Sequence, residues 1–339
     1  MSSVFVTGST GFLGTHLVRA LQGRGHEVVA LVRAIDAALT ALGVVQVRGD
    51  VLDAVSVKTA VAAHSCELAV HCAGRVSRDP ADAEELYRVH VEGTKTVLDA
   101  CRAAGVKRVV FASSSGTVAV SEDANAIATE TDETPIGLIA RWPYYRAKLF
   151  AERAALERNV RGSFEVVSVN PTLLLGPGDL RGSSTEDVRL FLDKKIPAIL
   201  GGGVSFVDVR DAAEGLVLAL EKGTPGERYL LGACNLTLRD FFGKLERVSG
   251  VKAPWLMVPR SPELTRIGMK AMGRLAARLG ATLPVDPVSV EMASYFWYLD
   301  ATRAETVLGW HARDPMETLA DTVTDLRARG VVWPEPQSA

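Results

Sequence analysis

The stretch VFVTGSTGFLGTHLVRALQGRGHEVVALVR, from Val4 to Arg33, limits the fold of this chain more than any other part of it. An apolar, β-branched run meets three glycines, Gly8, Gly11 and Gly14; an amphipathic stretch and a second apolar run follow. The first glycine of a GxxGxxG spacing allows a tight turn. The second lets backbone approach a pyrophosphate, and the third lets helix and strand pack closely while helix N–H groups face the anion. The same residues would also serve a plain βα turn. Their place inside a strand–helix–strand unit favours dinucleotide binding. Thr10, Phe12 and Leu13, beside the glycines, are then expected cofactor contacts.

The alternation continues downstream. Val28–Val32, Val44–Val47, Leu68–His71, Val109–Ala112 and Val166–Val169 read as short strands. They are nearly continuous apolar runs, as parallel strands covered on both faces must be. Phe12–Arg24 and Glu84–Ala104 repeat apolar residues at helical spacing. The expectation is an α/β fold: a Rossmann-type doubly wound parallel sheet with a smaller, mostly helical substrate lobe. Proline and glycine become dense after Pro171, and a strand–helix signal returns over Ser205–Leu220, followed by a strand at Arg228–Leu231. This divides the chain into a nucleotide-binding domain, 1–170 plus 205–232, and a substrate lobe, 171–204 plus 233–333, with a frayed tail at 334–339.

A net charge of −2 supplies no basic field for nucleic acid or an acidic membrane. The apolar runs stop well short of the ~20 residues of a membrane span, and no signal-peptide pattern opens the chain. Cys66, Cys72, Cys101 and Cys234 have no metal-type spacing, so free thiols in a reducing cytoplasm are the reading. No histidine pair has ligand spacing, and no metal is expected. His16 is expected on the exposed face of the first helix, and His26, His64 and His311 near helix ends or loops.

Arg33 stands at the end of the second strand, where an acidic residue would hold the ribose hydroxyl of NAD and an Arg suits the phosphate of NADP. NADP is the expected cofactor. NAD is the alternative, with Arg33 solvated and Asp36 on the ribose. In VRGDVLD, Asp50 is placed to accept from the adenine amino group with Val51 beside the ring, or to cap a helix. In HCAGRV, Cys72, Ala73, Gly74 and Val76 let a cofactor pass close to backbone.

WPYYRAKLFAE sets Tyr144 and Lys148 four residues apart, on one helix face. An ammonium there is expected to lower the pKa of the phenol and suit it to proton transfer. Tyr145 has Leu149 at the same offset, so Tyr144 is the residue with the partner. FASSSGTV ends the fifth strand in Ser113, Ser114 and Ser115, at the sheet edge that faces the ligand crevice.

These motifs, TGSTGFLG, GDVLD, HCAG, VEGT, SSS, YYRAK, VNPTLLLGPGD and VDVRDAAEG, span nearly the whole chain in order. Together they resemble the extended short-chain dehydrogenases/reductases, the NAD-dependent epimerase/dehydratase family. Within it, FASSSGTV, NPTLLLGP and YFWYLDATRAETVLGW look most like the dihydroflavonol reductase, 3β-hydroxysteroid dehydrogenase and hopanoid-associated sugar epimerase group. The resemblance implies a catalytic set of Ser114, Tyr144 and Lys148, with Ser115 taking the serine position if the alignment is run back from Thr117. It implies that Lys148 also bonds the nicotinamide ribose and that Pro171, Thr172 and Leu173 wall the nicotinamide. A small-molecule carbonyl substrate and a homodimer are the partners considered, with the oligomeric state left open. The sequence departs from the family at His90, where relatives carry Asn. It departs again at Ala119, where plant dihydroflavonol reductases carry a flavonoid-contacting Asn. His90 is either a replacement hydrogen-bond or relay group, or a buried residue satisfying backbone.

The expected function is NADP(H)-dependent reduction of a ketone or aldehyde of a mainly apolar small molecule, with Tyr144 as general acid. The alternatives are an NAD-dependent nucleotide-sugar epimerase or dehydratase and a non-catalytic NADP-sensing module. Ile196, Ile199, Trp255, Leu256, Met257, Tyr295, Phe296 and Trp297 give the substrate lobe an apolar character. Arg181, Arg189 and Arg210 are the candidates to clamp a diphosphate. SPELTRIGMKAMGRLAARLG is read as a cleft cover with Met269, Met272 and Leu275 turned inward, or as a membrane-surface contact.

Overall fold

The first six apolar runs become parallel strands of one sheet in the computed structural model, which describes residues 2–258 and 287–332. They are β1 (Ser3–Thr7), β2 (Glu27–Val32), β3 (Val45–Arg48), β4 (Leu68–His71), β5 (Arg108–Ala112) and β6 (Glu165–Pro171). Six further strands follow: β7 (Leu173–Leu175), β8 (Ile199–Leu200), β9 (Gly203–Asp208), β10 (Arg228–Leu231), β11 (Cys234–Thr237) and β12 (Met257–Val258). The main sheet has seven strands in the order β3-β2-β1-β4-β5-β6-β10. The chain reverses its direction of travel between β1 and β4, which opens a crevice at their carboxyl ends.

Side-chain alternation along each strand feeds two cores. Val4 and Val6 pack beneath helices Phe12–Gly23 and Val209–Lys222, with Leu17, Leu21 and Leu216 fully buried. Phe5 points the other way, toward helices Ala54–Ala63, Gly93–Ala103 and Pro143–Leu156. Such two-sided cover explains why these strands read as unbroken apolar runs.

The smaller lobe has its own core of Phe191, Phe206, Phe241, Leu245 and Leu319. It is not all helix. β9 pairs with β7 and β11, and β8 with β12. Strand β9 therefore lies in the second sheet, while the helix that follows it packs on the first.

The long helical signal at Glu84–Ala104 is interrupted. An α-turn at Ala83–Tyr87 passes through a π-turn, Arg88–Glu92, into the helix Gly93–Ala103. The extra residue of a π-turn rotates the face that follows it, and this one delivers His90 to the crevice. The stretch 261–280, read as a cleft cover, lies outside the described residues, as does the tail. Among the described residues no helix is long and apolar enough to cross a membrane.

Candidate active site

The turn after β1 is held open by missing side chains. Gly8 adopts φ +76°, and a Cβ on it would lie 2.6 Å from the backbone N of Ala73. A Cβ on Gly14 would lie 2.0 Å from the carbonyl O of Gly8, so strand and helix meet backbone to backbone. Gly11 is less constrained, its Cβ position 3.3 Å from the same oxygen. The helix at Phe12 has no side-chain cap and no acid in its first turn, which leaves its leading N–H groups for an anion.

A cleft of about 3040 Å³ runs from this turn along the carboxyl edge of the sheet. That is room for a dinucleotide and a second molecule. The cleft is lined by Gly8, Thr10, Gly11, Phe12, Leu13, Gly14, Arg33, Asp50, Val51, Cys72, Ala73, Gly74, Val76, Ser114, Tyr144, Lys148, Pro171, Thr172 and Leu173, the residues singled out in the sequence. Arg33 is exposed and makes no hydrogen bond or ion pair with another described residue. Asp36 is engaged locally: its carboxylate accepts from Leu39 N at 3.0 Å and caps the helix Ala37–Ala41. Asp50 is not a helix cap. It accepts from Leu52 N at 2.9 Å in a tight turn, and Asp53 caps the helix Ala54–Ala63 instead. A glycine cradle that a Cβ would fill, an uncapped helix start and an unpartnered Arg33 together fit a dinucleotide.

At the other end of the cleft, Tyr144 opens the helix Pro143–Leu156 and Lys148 lies one turn on. The Lys148 ammonium donates to the carbonyl of Ala112 at 2.8 Å, and burial lowers its pKa to about 8. It does not pull the Tyr144 phenol down. Burial holds that phenol above its ordinary value, with the neighbouring Tyr145 adding to the shift. The expected direction is reversed because the ammonium is anchored on backbone and the phenol sits among apolar groups. Tyr144 is therefore a protonated acid in this state.

The three serines differ. Ser113 donates to Glu152 Oε2 at 2.7 Å and is buried. Ser115 is buried as well, at 4% exposure. Ser114 is half-exposed in the cleft, and its hydroxyl accepts from Gly116 N at 3.3 Å, which leaves its proton to donate.

Glu152, fully buried, stands behind this group. Its Oε2 also accepts from Thr117 Oγ1 at 2.8 Å and Asn170 Nδ2 at 3.0 Å, and its Oε1 lies 3.1 Å from Arg228 Nε. One carboxylate thus ties the serine loop, the end of β6 and β10 to the helix that carries Tyr144 and Lys148. Sequence reasoning passed over it, although it is the last letter of WPYYRAKLFAE, at i, i+4, i+8 from Tyr144 and Lys148.

His90 is buried, with Nε2 2.7 Å from the carbonyl of Arg75, and it meets the Tyr144 ring edge-on at 5.6 Å between centroids. A Cβ on Gly74 would lie 2.5 Å from its ring, so His90 fills the space below that glycine. Burial lowers its pKa to about 3, so the ring is neutral. His16 is not on an exposed face: it lines the cleft and bonds the carbonyl of Pro177 at 2.9 Å.

The substrate half is walled by rings. Tyr145 stacks near Trp297 at 5.0 Å, and Trp142 lies 5.4 Å from Trp297 and 5.3 Å from Tyr295. Ile196 and Trp297 line the cleft, whereas Ile199, Tyr295 and Phe296 are buried in cores. Trp255, Leu256 and Met257 face outward, Trp255 at 90% exposure, because their segment runs along the surface edge beside β8. Arg189 is paired with Glu186 and Asp193, and Arg210 with Asp208 and Asp321. Ala119 is fully buried.

The model of the NAD dependent epimerase/dehydratase family matches residues 4–232. A protein of Synechocystis sp., provisionally named a dihydroflavonol 4-reductase, is 34% identical over 97% of this chain and 95% of its own length. Sterol demethylase protein B of Methylococcus capsulatus is 32% identical over 97% of this chain and 100% of its own. The crystal structure of gox2253 superposes with a TM-score of 0.84 at 27% identity, covering 98% of this chain and 100% of that one. Fold, glycine cradle and match agree: the chain belongs to the NAD-dependent epimerase/dehydratase family of extended short-chain dehydrogenases/reductases, as an NAD(P)-dependent oxidoreductase.

Proposed function

We propose that the chain is an NADPH-dependent reductase that converts the ketone or aldehyde of a mainly apolar small molecule into an alcohol. The observation that carries this reading is the wall facing Tyr144. It is built of Tyr145, Trp142 and Trp297, while Arg189 and Arg210 are each tied into ion pairs with acids of the chain. A nucleotide diphosphate needs paired cations to offset its lost hydration. The reductase name of the Synechocystis relative points the same way.

The preference for NADPH rests on Arg33, exposed at the end of β2, and on Asp36, whose carboxylate is engaged as a helix cap. A bound nicotinamide supplies the hydride that reaches the carbonyl carbon. The chain supplies everything else. Ser114 donates a hydrogen bond to the carbonyl oxygen, and Tyr144, kept protonated by burial, passes its proton to the same oxygen. Lys148, anchored by Ala112, stabilises the phenolate left behind and reaches toward the nicotinamide ribose. Pro171, Thr172 and Leu173 would wall the nicotinamide, and Asp50 and Val51 would hold the adenine. The product is a secondary or primary alcohol with one oxidised cofactor.

The second reading is the NAD-dependent epimerase, favoured by Arg181, which is exposed on the cleft and paired with no described residue. A panel of aliphatic and aromatic ketones against nucleotide sugars, each with NADPH and NADH, separates the two. Oxidation of NADPH by ketones is expected. Conversion of a nucleotide sugar without net cofactor oxidation would replace the reductase with the epimerase.

A further inference from the structure

A guanidinium stands beside the rings that wall the substrate half of the cleft. Arg78 lies in the loop that leaves β4 and lines the cleft with Tyr145, Met292 and Trp297. It crosses to the substrate lobe, where its two terminal nitrogens meet the two carboxylate oxygens of Asp187 at 3.3 and 3.1 Å. Its Nη1 also donates to Ser289 Oγ at 2.6 Å. The Asp187 contact is a fork, the arrangement by which Arg grips a carboxylate, with both bonds at the long end of the range. The pair is open to the cleft, at 32% and 36% side-chain exposure, and a pair so exposed is cheap to separate. Both partners act electrostatically on the phenol of Tyr145, next to the proton donor Tyr144. Three other cations of the substrate half of the cleft are placed differently. Arg189 and Lys195 are held by acids of their own segment. Arg181 sits in the loop that His16 anchors, through Pro177, to the phosphate-facing helix.

We propose that Arg78 is the recognition site for a carboxylate on the substrate, and that Asp187 occupies that site until the substrate exchanges for it. This rests on the reductase reading and narrows it: the substrate is an apolar ketone carrying a carboxylate near the carbonyl. The exchange swaps one carboxylate for another on the same fork, so Arg78 keeps its charge partner and Asp187 passes to water. Ser289 holds the guanidinium in place meanwhile.

The test compares a long-chain β-keto acid, its methyl ester and the matching methyl ketone as substrates with NADPH. In the wild type, kcat/KM for the acid should exceed that for the ester by about tenfold or more, the size of a charge-assisted hydrogen bond. Arg78→Met should bring the ratio to about one. Asp187→Asn should raise it above the wild-type value, because the competing carboxylate is gone. A simple tie between the lobes predicts something else: both variants lose acid and ester turnover alike, and that result overturns the proposal. A wild type that reduces ketone and ester but shows no preference for the acid overturns it while leaving the reductase reading standing. A wild type that reduces none of the three and converts a nucleotide sugar removes the reductase reading, and this proposal with it.

Discussion

The two ends of the cleft are built from different materials. The cofactor end is backbone: Gly8, Gly14 and Ala73 approach so closely that no side chain fits between them. The other end is side chain: Trp297, Tyr145 and Met292 line it, the two rings 5.0 Å apart between centroids. A backbone surface suits what the proposed reaction shares across every turnover, the pyrophosphate and ribose of the cofactor. A side-chain surface can be retuned to a new ligand without disturbing the sheet beneath it. Between the two lies the Glu152 network, which belongs to neither wall and holds them in register.

This contrast can be broken by substitution. Gly14→Ala should abolish cofactor binding, since its Cβ would stand 2.0 Å from a carbonyl oxygen, whereas Gly11→Ala, at 3.3 Å, should retain it. Calorimetric titration with NADPH decides. Equal tolerance at both positions would mean that the turn is not set by backbone contact. Tyr144→Phe should leave cofactor affinity intact and lower kcat by about 10²–10⁴-fold, the usual range for a positioned acid. A near-native rate on a reduced ketone would take Tyr144 out of the proton step.

Glu152→Gln is expected to cost about tenfold in kcat, because a neutral amide cannot accept from Ser113, Thr117 and Asn170 as a carboxylate does. NADPH affinity should stay within about twofold by the same reasoning. A loss shared equally by kcat and cofactor affinity would make Glu152 a general prop of the fold rather than a positioning residue for the serine loop. The smallest effect is at the substrate wall. Trp297→Leu should raise KM for bulky ketones a few-fold and leave kcat and NADPH affinity alone. A change in cofactor affinity there would show that the two ends are coupled.

What the sequence makes legible is what it encodes locally. The β-branched runs of β1 to β6, the glycine spacing and the Tyr144–Lys148 offset are all patterns within a few residues, and each appears in the structure at its expected place. What stays hidden is assembled over distance. Glu152 collects partners from positions 113, 117, 170 and 228, on three separate segments. Arg78 finds Asp187 and Ser289, 109 and 211 residues away. The π-turn at Arg88–Glu92 breaks a helical period that looks continuous, since a single extra residue barely disturbs the apolar pattern while it turns His90 inward. Apolar character alone also misplaced Trp255, because hydrophobicity does not say which side of a surface strand a residue occupies.

The central claim is net hydride transfer to a carbonyl with Tyr144 as the acid. Reduction of an apolar ketone with NADPH deuterated at the transferable position tests it most directly, by mass spectrometry of the product alongside a count of oxidised cofactor. The account predicts one deuterium on the carbinol carbon and one NADP formed per alcohol, both lost in Tyr144→Phe. Conversion of a nucleotide sugar to its epimer, unlabelled and with no deuterated NADPH consumed, while ketones stay unreduced, would contradict it.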